Sequence, residues 1–148
     1  MDTIFKIADL SCSYAMDLPI VLKIRELNLE KGKLIFLIGA SGTGKSTLLE
    51  TLGLMNNTIG AGEVYFTPNH VGSFDYLQLW KQKDEHRISE IRKQHFNFIF
   101  QNTNLMENFT AYENVCLSGM IKGSKTGIEV IDGVKELMNR VRLPENEV

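Results

Sequence analysis

The most constraining feature of this chain is the octapeptide that runs from Gly39 to Ser46. It reads Gly-Ala-Ser-Gly-Thr-Gly-Lys-Ser and fills every fixed position of the P-loop pattern G-x-x-x-x-G-K-[ST]. Glycines let successive backbone N–H groups turn inward around an anion, and a helix that begins at the loop adds free donors and the positive end of its dipole. The sequence therefore predicts a polyphosphate-binding site at residues 39–46.

The side chains of this loop have separate predicted roles. We expect Lys45 to reach the β- and γ-phosphate oxygens as a mobile point charge, and the Ser46 hydroxyl to bind Mg²⁺. The alternative is a glycine-rich turn that only joins a strand to a helix, and the complete motif disfavours it. The predicted nucleotide-binding residues of the loop are Gly39, Ser41, Gly42, Thr43, Gly44, Lys45, Ser46 and Thr47.

The flanking sequence predicts a strand before the loop and a helix after it. The apolar run Leu34–Ile38 is bounded by Gly32 and Gly39 and is typical of a buried parallel strand. Alternation predicts strands over residues 3–9, 20–29 and 63–66, and aromatic residues at every second position predict another over 96–101. Helical spacing predicts helices after Ser46 and over residues 84–94, and residues 111–121 are expected to start another helix. A capping box predicts a helix from Thr126, whose apolar residues at helical spacing are Val130, Val134, Leu137, Met138 and Val141. Residues 71–83 stay unassigned.

Composition limits the classes of partner. Sixteen basic and eighteen acidic residues give a net charge of −2, so no basic field indicates nucleic acid. The longest apolar run is about one strand long, against the roughly 20 residues of a membrane span, so we expect a soluble chain without a signal peptide. Cys12 and Cys116 have no metal-binding spacing and are predicted to be buried residues in a reducing compartment.

Three further features resemble the nucleotide-binding subunit of ATP-binding cassette (ABC) transporters. Tyr14 stands where that family carries an aromatic residue that stacks on adenine, although packing is the alternative role for an isolated tyrosine. Gly32 falls in the turn before the P-loop strand. Residues 98–101, 104–106 and 110–115 resemble the Q-loop and the helix after it, in wording similar to the subfamily that exports lipoproteins or macrolides.

This resemblance implies an α/β fold: a P-loop NTPase core with an antiparallel β-subdomain and the start of a helical subdomain, truncated before the signature motif. It assigns residues 1–33 and 60–83 mainly to the β-subdomain, 34–56 and 84–101 to the P-loop core, and 102–148 to the Q-loop and the start of the helical subdomain. It also implies ATP and Mg²⁺ as cofactors, with Lys45 and Gln101 as catalytic residues and Ser46 and Gln101 at the metal.

The resemblance further implies partners and a location. The loop at residues 102–114 would contact a transmembrane transporter subunit, and a second nucleotide-binding subunit would complete the family member. The chain would then lie in the cytoplasm, at the inner face of the membrane. The transmembrane subunit would make the membrane contact for this chain.

Parts of the family's catalytic site have no match in these 148 residues: the signature Leu-Ser-Gly-Gly-Gln, the strand ending in Asp-Glu and the switch histidine. Leu117-Ser118-Gly119 echoes the signature but stands too soon after Gln101, and Asp132 is predicted on the solvated face of a helix. We therefore expect this chain to bind Mg-ATP without turnover. The alternatives are a non-enzymatic nucleotide-responsive module that docks on a membrane partner, and a small-molecule P-loop kinase.

Overall fold

The computed structural model describes residues 2–15, 17–68, 72–100, 105–123 and 126–142. The chain divides into two compact units, Met1–Phe96 and Asn97–Val148, and each is described by itself. The finer division into subdomains stays a prediction.

The first unit is built on an antiparallel sheet. The strand order is β2-β1-β3-β4, and β1 pairs with both β2 and β3. Alternation turns one face of β1 inward, where Phe5 and Ile7 are buried. The elements of this unit are β1 Thr3–Cys12, β2 Leu22–Glu30, α1 Lys45–Leu52, β3 Ile59–Phe66, β4 Phe74–Asp75, α2 Tyr76–Gln82 and α3 Glu85–His95.

The core of this unit lies between the inward face of the sheet and the three helices. Helix α1 contributes Leu48 and Leu52, and helix α3 contributes Ile88 and Ile91, as its spacing predicts. Tyr76 is fully buried, and its hydroxyl donates to the carbonyl oxygen of Leu52 at 2.7 Å. Burial raises the pKa of Tyr76 well above its ordinary range. This hydrogen bond ties the start of α2 to the end of α1.

The strands predicted at residues 3–9, 20–29 and 63–66 are confirmed, as are the helices after Ser46 and over 84–94. The unassigned stretch 71–83 contains β4 and α2. Its period is unclear because a two-residue strand passes directly into a helix of seven residues. The Asp75 carboxylate begins that helix by accepting from the backbone N–H of Gln78 at 3.1 Å.

Two strand predictions are wrong. Residues 33–40 form no strand, and the run Leu34–Ile38 is exposed rather than buried, from 40% for Leu37 to 93% for Ile38. Residues 96–100 form no strand either, and Ile99 is fully exposed. A parallel strand requires neighbours to satisfy its backbone groups. The strands of the described residues pair only among themselves, so these runs have none.

The second unit contains helix α4, Ala111–Lys122, and helix α5, Gly127–Arg140. Each helix begins with a capping box, formed by Thr110 with Glu113 and by Thr126 with Glu129. Their buried contact consists of Cys116, Val130, Val134 and Met138.

The inward spacing predicted for α5 is confirmed at positions 130, 134 and 138, and Asp132 is exposed as expected. Leu137 and Val141, which were predicted on the same face, are 44% and 55% exposed. Helix α5 packs on the single helix α4, and that contact covers one i, i+4 ridge only. Both cysteines are buried, as predicted, and neither forms a disulfide. No helix within the described residues has the length and apolar character needed to cross a membrane.

Candidate functional site

The P-loop motif forms a turn that leads directly into helix α1. Gly42 and Gly44 both have left-handed backbone conformations, with φ of 80° and 84°. Other residues adopt this region at a cost in free energy, so the two glycines allow a reversal of direction that an ordinary sequence would resist. Helix α1 then begins at Lys45.

The N-terminus of α1 differs from that of every other helix in the described residues. Asp75, Asp84, Thr110 and Thr126 cap helices α2 to α5 with side-chain oxygens. Gly44 has no side chain to cap α1, and no acidic residue stands in the first turn. The first N–H groups of α1 therefore keep their capacity to donate to an anion, and the positive end of the helix dipole is not neutralised.

Lys45 folds back over the loop. Its Nζ donates to the carbonyl oxygens of Gly39 at 2.8 Å and Ala40 at 2.5 Å, and lies 3.5 Å from Thr43 Oγ1. The Thr43 hydroxyl donates to the carbonyl oxygen of Ala40 at 2.9 Å. A lysine ammonium on a flexible stem can exchange such neutral acceptors for phosphate oxygens, which attract it more strongly. Its position thus suits an anion at the loop.

The loop also offers exposed hydroxyl groups. Ser41 and Ser46 are both exposed, and Ser46 stands in the first turn of α1, one residue after Lys45. Hydroxyl oxygens suit Mg²⁺, which binds through one or two protein ligands together with phosphate oxygens. The residues at the start of α1 therefore fit both a polyphosphate and its cation.

Tyr14 follows β1 and lies beside the first turns of α1. Its hydroxyl is 2.9 Å from Thr47 Oγ1, although the two residues are 33 positions apart in the chain. Tyr14 is 57% exposed, which disfavours the alternative role of a packing residue. Thr47, in contrast, is buried at 4%. The structure therefore brings the predicted adenine-stacking residue to the helix that the P-loop begins.

Beneath Thr47 lies a group of buried polar side chains that sequence reasoning missed. The Thr51 hydroxyl donates to the carbonyl oxygen of Thr47 at 2.6 Å and is 2.7 Å from Thr58 Oγ1. The Cys12 sulfur lies 4.0 Å from Thr51 Oγ1, and burial raises the pKa of this thiol. The available signal was a pair of threonines at i, i+4 on the inward face of helix α1, beside Leu48 and Leu52.

A cavity of about 450 Å³ adjoins this group at the end of β1 and the start of β3. Tyr14 and Ile20 border it together with Thr58 and Asn57, so its wall is mixed in polarity. Its size and its contact with the Tyr14 ring are compatible with a small aromatic group.

In the second unit, the loop before α4 is organised by Asn114. Its Oδ1 accepts from the backbone N–H of Met106 at 2.7 Å. Its Nδ2 donates to the carbonyl oxygens of Met106, Phe109 and Thr110, at 3.2, 3.1 and 2.9 Å. The loop presents Leu105, Met106 and Phe109 as exposed apolar side chains. Gln101 lies outside the described residues.

Comparison with known proteins agrees with these features. The family model described as ABC transporter matches residues 22–148. The lipoprotein-releasing system ATP-binding protein LolD of Paramagnetospirillum magneticum is 34% identical over 125 residues, which is 84% of this chain and 50% of that protein. The macrolide export ATP-binding/permease protein MacB of Mannheimia succiniciproducens is 35% identical over 127 residues, 86% of this chain and 18% of that protein. The chain thus spans about half the length of the LolD relative.

A solved structure has a similar fold. It is the dimeric structure of a post-hydrolysis state of the ATP-binding cassette MJ0796 bound to ADP and Pi. It is 30% identical, with a TM-score of 0.74, and the match covers 97% of this chain and 59% of that one. This match and the antiparallel sheet with its helices confirm the predicted fold class. The family model spans the P-loop, helix α1 and the second unit, and the chain belongs to the ABC transporter family.

Proposed function

We propose that this chain binds Mg-ATP at residues 39–47, as the ATP-binding portion of an ABC transporter whose complete form couples ATP hydrolysis to transport. The observation that carries the proposal is the start of α1, where an uncapped helix N-terminus meets the ammonium group of Lys45. These two features place fixed and mobile positive charge at one anion site. Within the family to which the chain belongs, that anion is the phosphate chain of ATP.

The residues of the loop divide the binding between them. Backbone N–H groups from Gly42 to Thr47 donate to phosphate oxygens, and Lys45 leaves the carbonyls of the loop to contact the β- and γ-phosphates. The exposed hydroxyl of Ser46 holds Mg²⁺, which neutralises charge on those phosphates when it is bound. The Tyr14 ring stacks on the adenine, since an exposed aromatic face favours a flat base.

Contacts outside the loop complete the proposal. By the family resemblance, Gln101 would orient the attacking water or contact Mg²⁺, and residues 102–114 would dock on a transmembrane subunit. The exposed apolar side chains of the Asn114-bound loop favour such a docking role. A second nucleotide-binding subunit pairs with this one, as the dimeric neighbour suggests, and the assembly lies at the cytoplasmic face of the membrane.

Hydrolysis requires more than the P-loop. The 148 residues contain no match to the signature motif or to the Asp-Glu strand end. We therefore expect the chain alone to bind nucleotide without turnover, because positioning of the attacking water and charge stabilisation supply most of the catalysis of phosphoryl transfer. This separates the proposal from a small-molecule kinase, which would consume ATP with its acceptor.

The test is equilibrium binding of Mg-ATP to the 148-residue chain by titration calorimetry. Lys45→Ala should weaken binding by about tenfold to a hundredfold, the range for a hydrogen bond to a charged group. Lys93→Ala, which removes an exposed lysine of helix α3, should leave the affinity unchanged. Absence of binding at millimolar ATP would overturn the proposal. A steady ATPase rate that is lost in Lys45→Ala would show instead that the chain turns ATP over.

A further inference from the structure

We infer that Thr51 and Thr58 are positioning residues for the nucleotide base, because their hydroxyl pair holds the chain segment that carries Tyr14 against helix α1. The inference rests on the proposed function, since it concerns how the same nucleotide is bound. Its basis is the 2.7 Å contact between Thr51 Oγ1 and Thr58 Oγ1, which joins α1 to the residue before β3. Both side chains are buried, so they act through their neighbours rather than on the nucleotide.

Thr58 is connected to the segment of Tyr14 through the main chain. The N–H of Ser13 donates to the carbonyl oxygen of Thr58 at 2.9 Å, one position beyond the pair that Cys12 forms with Ile59 between β1 and β3. This bond continues the ladder between the two strands, so Ser13 and Thr58 keep a fixed relative position. Tyr14 follows Ser13 directly, and the position of Thr58 therefore determines where the ring begins.

Thr51 is connected to the end of α1 that the P-loop begins. Its hydroxyl donates to the carbonyl oxygen of Thr47, one turn earlier, at 2.6 Å. A threonine hydroxyl has a single proton, so the proton between the two hydroxyls belongs to Thr58, which donates to Thr51 Oγ1. Asn56 Oδ1, at 3.2 Å, is the more distant acceptor for that proton. A chain of hydrogen bonds thus runs from the sheet to the phosphate-binding helix.

These hydrogen bonds constrain the helix in a way that the surrounding apolar contacts do not. Leu48 and Leu52 also hold α1 in the core, but apolar contact has no preferred direction. A hydrogen bond between hydroxyls requires a defined distance and direction, and a buried network whose members are all bonded stiffens its surroundings. The pair therefore sets the spacing between the P-loop and the Tyr14 ring. ATP has to span that spacing with its phosphates and its base, so fixing it in advance strengthens binding.

The experiment measures the affinity of the 148-residue chain for two probes, Mg-ATP and inorganic tripolyphosphate, because only ATP has a base to stack. Thr51→Val keeps the shape of the side chain and removes its hydroxyl, whereas Thr51→Ser keeps the hydroxyl. Thr58→Val breaks the bond between helix and sheet and leaves the bond from Thr51 to Thr47 intact. Thr67→Val, which removes a hydroxyl bonded to Ser73 just beyond β3, is the matched control.

Thr51→Val and Thr58→Val should each weaken ATP binding by about threefold to tenfold, the net value of one hydrogen bond, and leave tripolyphosphate affinity unchanged. Thr51→Ser and Thr67→Val should bind both probes as the parent chain does. The loss caused by Thr58→Val should disappear on a Tyr14→Ala background, since no ring remains to be positioned. Circular dichroism establishes that each variant is folded, and if Thr51→Val is not, Thr58→Val makes the same comparison.

Unchanged ATP affinity in Thr58→Val, in a parent chain that binds both probes, would overturn the inference and leave the proposed function standing. An equal loss of ATP and tripolyphosphate would also overturn it, because the pair would then support the phosphate site rather than the base. So would a loss of ATP affinity that persists on the Tyr14→Ala background. A parent chain that binds neither probe would overturn the proposed function itself.

Discussion

The carbonyl oxygen of Val21 lies too close to Gly44 for the side chain of any other residue at that position. A Cβ built on Gly44 would be 2.8 Å from that oxygen and 3.2 Å from the Cβ of Leu22. Gly44 also has a φ of 84°. The last glycine of the motif is therefore required twice, by the left-handed turn that starts α1 and by the close approach of the chain that enters β2.

Gly44→Ala should lower the free energy of unfolding by about 2–4 kcal/mol, since it combines left-handed strain with a steric clash against backbone. Gly42→Ala is the matched control. Gly42 has a φ of 80° and no atom within 4 Å of a built Cβ, so it should lose only about 1–2 kcal/mol from strain. Urea denaturation of the three proteins measures the difference. Equal losses in the two variants would show that the backbone at Val21 shifts to accommodate the added methyl group at position 44.

The local features of the candidate site could be predicted from sequence because they depend on neighbours in the chain. The motif fixes the loop and the start of α1, and the same holds for the capping boxes of α4 and α5. The placement of Tyr14 near the P-loop came from a family resemblance. Its hydrogen bond to Thr47 joins residues 33 positions apart, so no local pattern could specify it.

The wrong strand predictions have a common physical origin. Leu34–Ile38 and residues 96–100 have strand-like sequences, yet a strand is stable only when another strand pairs with it. The composition and the periodicity of a segment indicate which structure it would favour. They do not indicate whether a neighbouring strand is present to pair with it. Helix α5 shows the same limit in milder form, since Leu137 fits the apolar spacing but is 44% exposed beside the single helix α4.

The contact between α4 and α5 depends on Gly119. A Cβ at this position would lie 2.8 Å from Val130 Cγ1, so Gly119→Ala should destabilise the second unit by about 1–3 kcal/mol through overpacking. Gly133→Ala is the control within α5, where a built Cβ meets nothing within 4 Å. It should stabilise the helix by about 0.5–1 kcal/mol, because alanine loses less backbone entropy than glycine. Helical circular dichroism during urea denaturation measures both.

A second test of the Gly119 contact shortens Val130, the residue that a Cβ at position 119 would meet. On a Val130→Ala background, Gly119→Ala should become neutral or mildly stabilising, since the methyl groups that it would meet are absent. An equal loss in the free energy of unfolding on both backgrounds would show that Val130 is not the source of the clash.

Asn114 should control the order of the loop before α4. Asn114→Ala removes four hydrogen bonds to that loop and should cost about 1–3 kcal/mol, with faster amide exchange at Met106, whose N–H donates to Asn114 Oδ1. Asn114→Asp keeps an acceptor for the Met106 N–H but loses the donors to the carbonyl oxygens of the loop, so we expect it to retain more protection at Met106 than Asn114→Ala does. Asn139→Ala, at an exposed position of α5, is the control. Unchanged exchange at Met106 in Asn114→Ala would refute this role.

Tyr76 should make stability fall at alkaline pH. Burial raises its pKa in the folded chain above the ordinary value of 10.0, so the unfolded chain loses the phenol proton first. The contribution of Tyr76 to the free energy of unfolding is therefore complete below about pH 10. Above that pH it declines by up to about 1.4 kcal/mol per pH unit.

Tyr76→Phe should cost about 1–2 kcal/mol at pH 7, because the carbonyl of Leu52 loses a buried donor. The difference between the two proteins should then shrink above pH 10 and close near about pH 11, since phenylalanine does not ionise. Denaturant titrations from pH 7 to 11 measure it. Titration of the Cys12 thiol occurs in both proteins and cancels in the comparison. A difference that stays constant over this range would contradict the assigned shift.

The exposed apolar run at residues 34–38 should promote self-association. Leu34, Phe36 and Ile38 are 83%, 76% and 93% exposed, and adjacent apolar residues with unpaired backbone groups favour contact between chains. Replacing Leu34 and Phe36 by lysine should shift the chain toward monomer in sedimentation velocity at micromolar concentrations. Stability should change little, because these side chains are mostly exposed. Ile128→Lys with Leu137→Lys adds the same charge on α5 and should leave association unchanged, unless net charge rather than this run governs it.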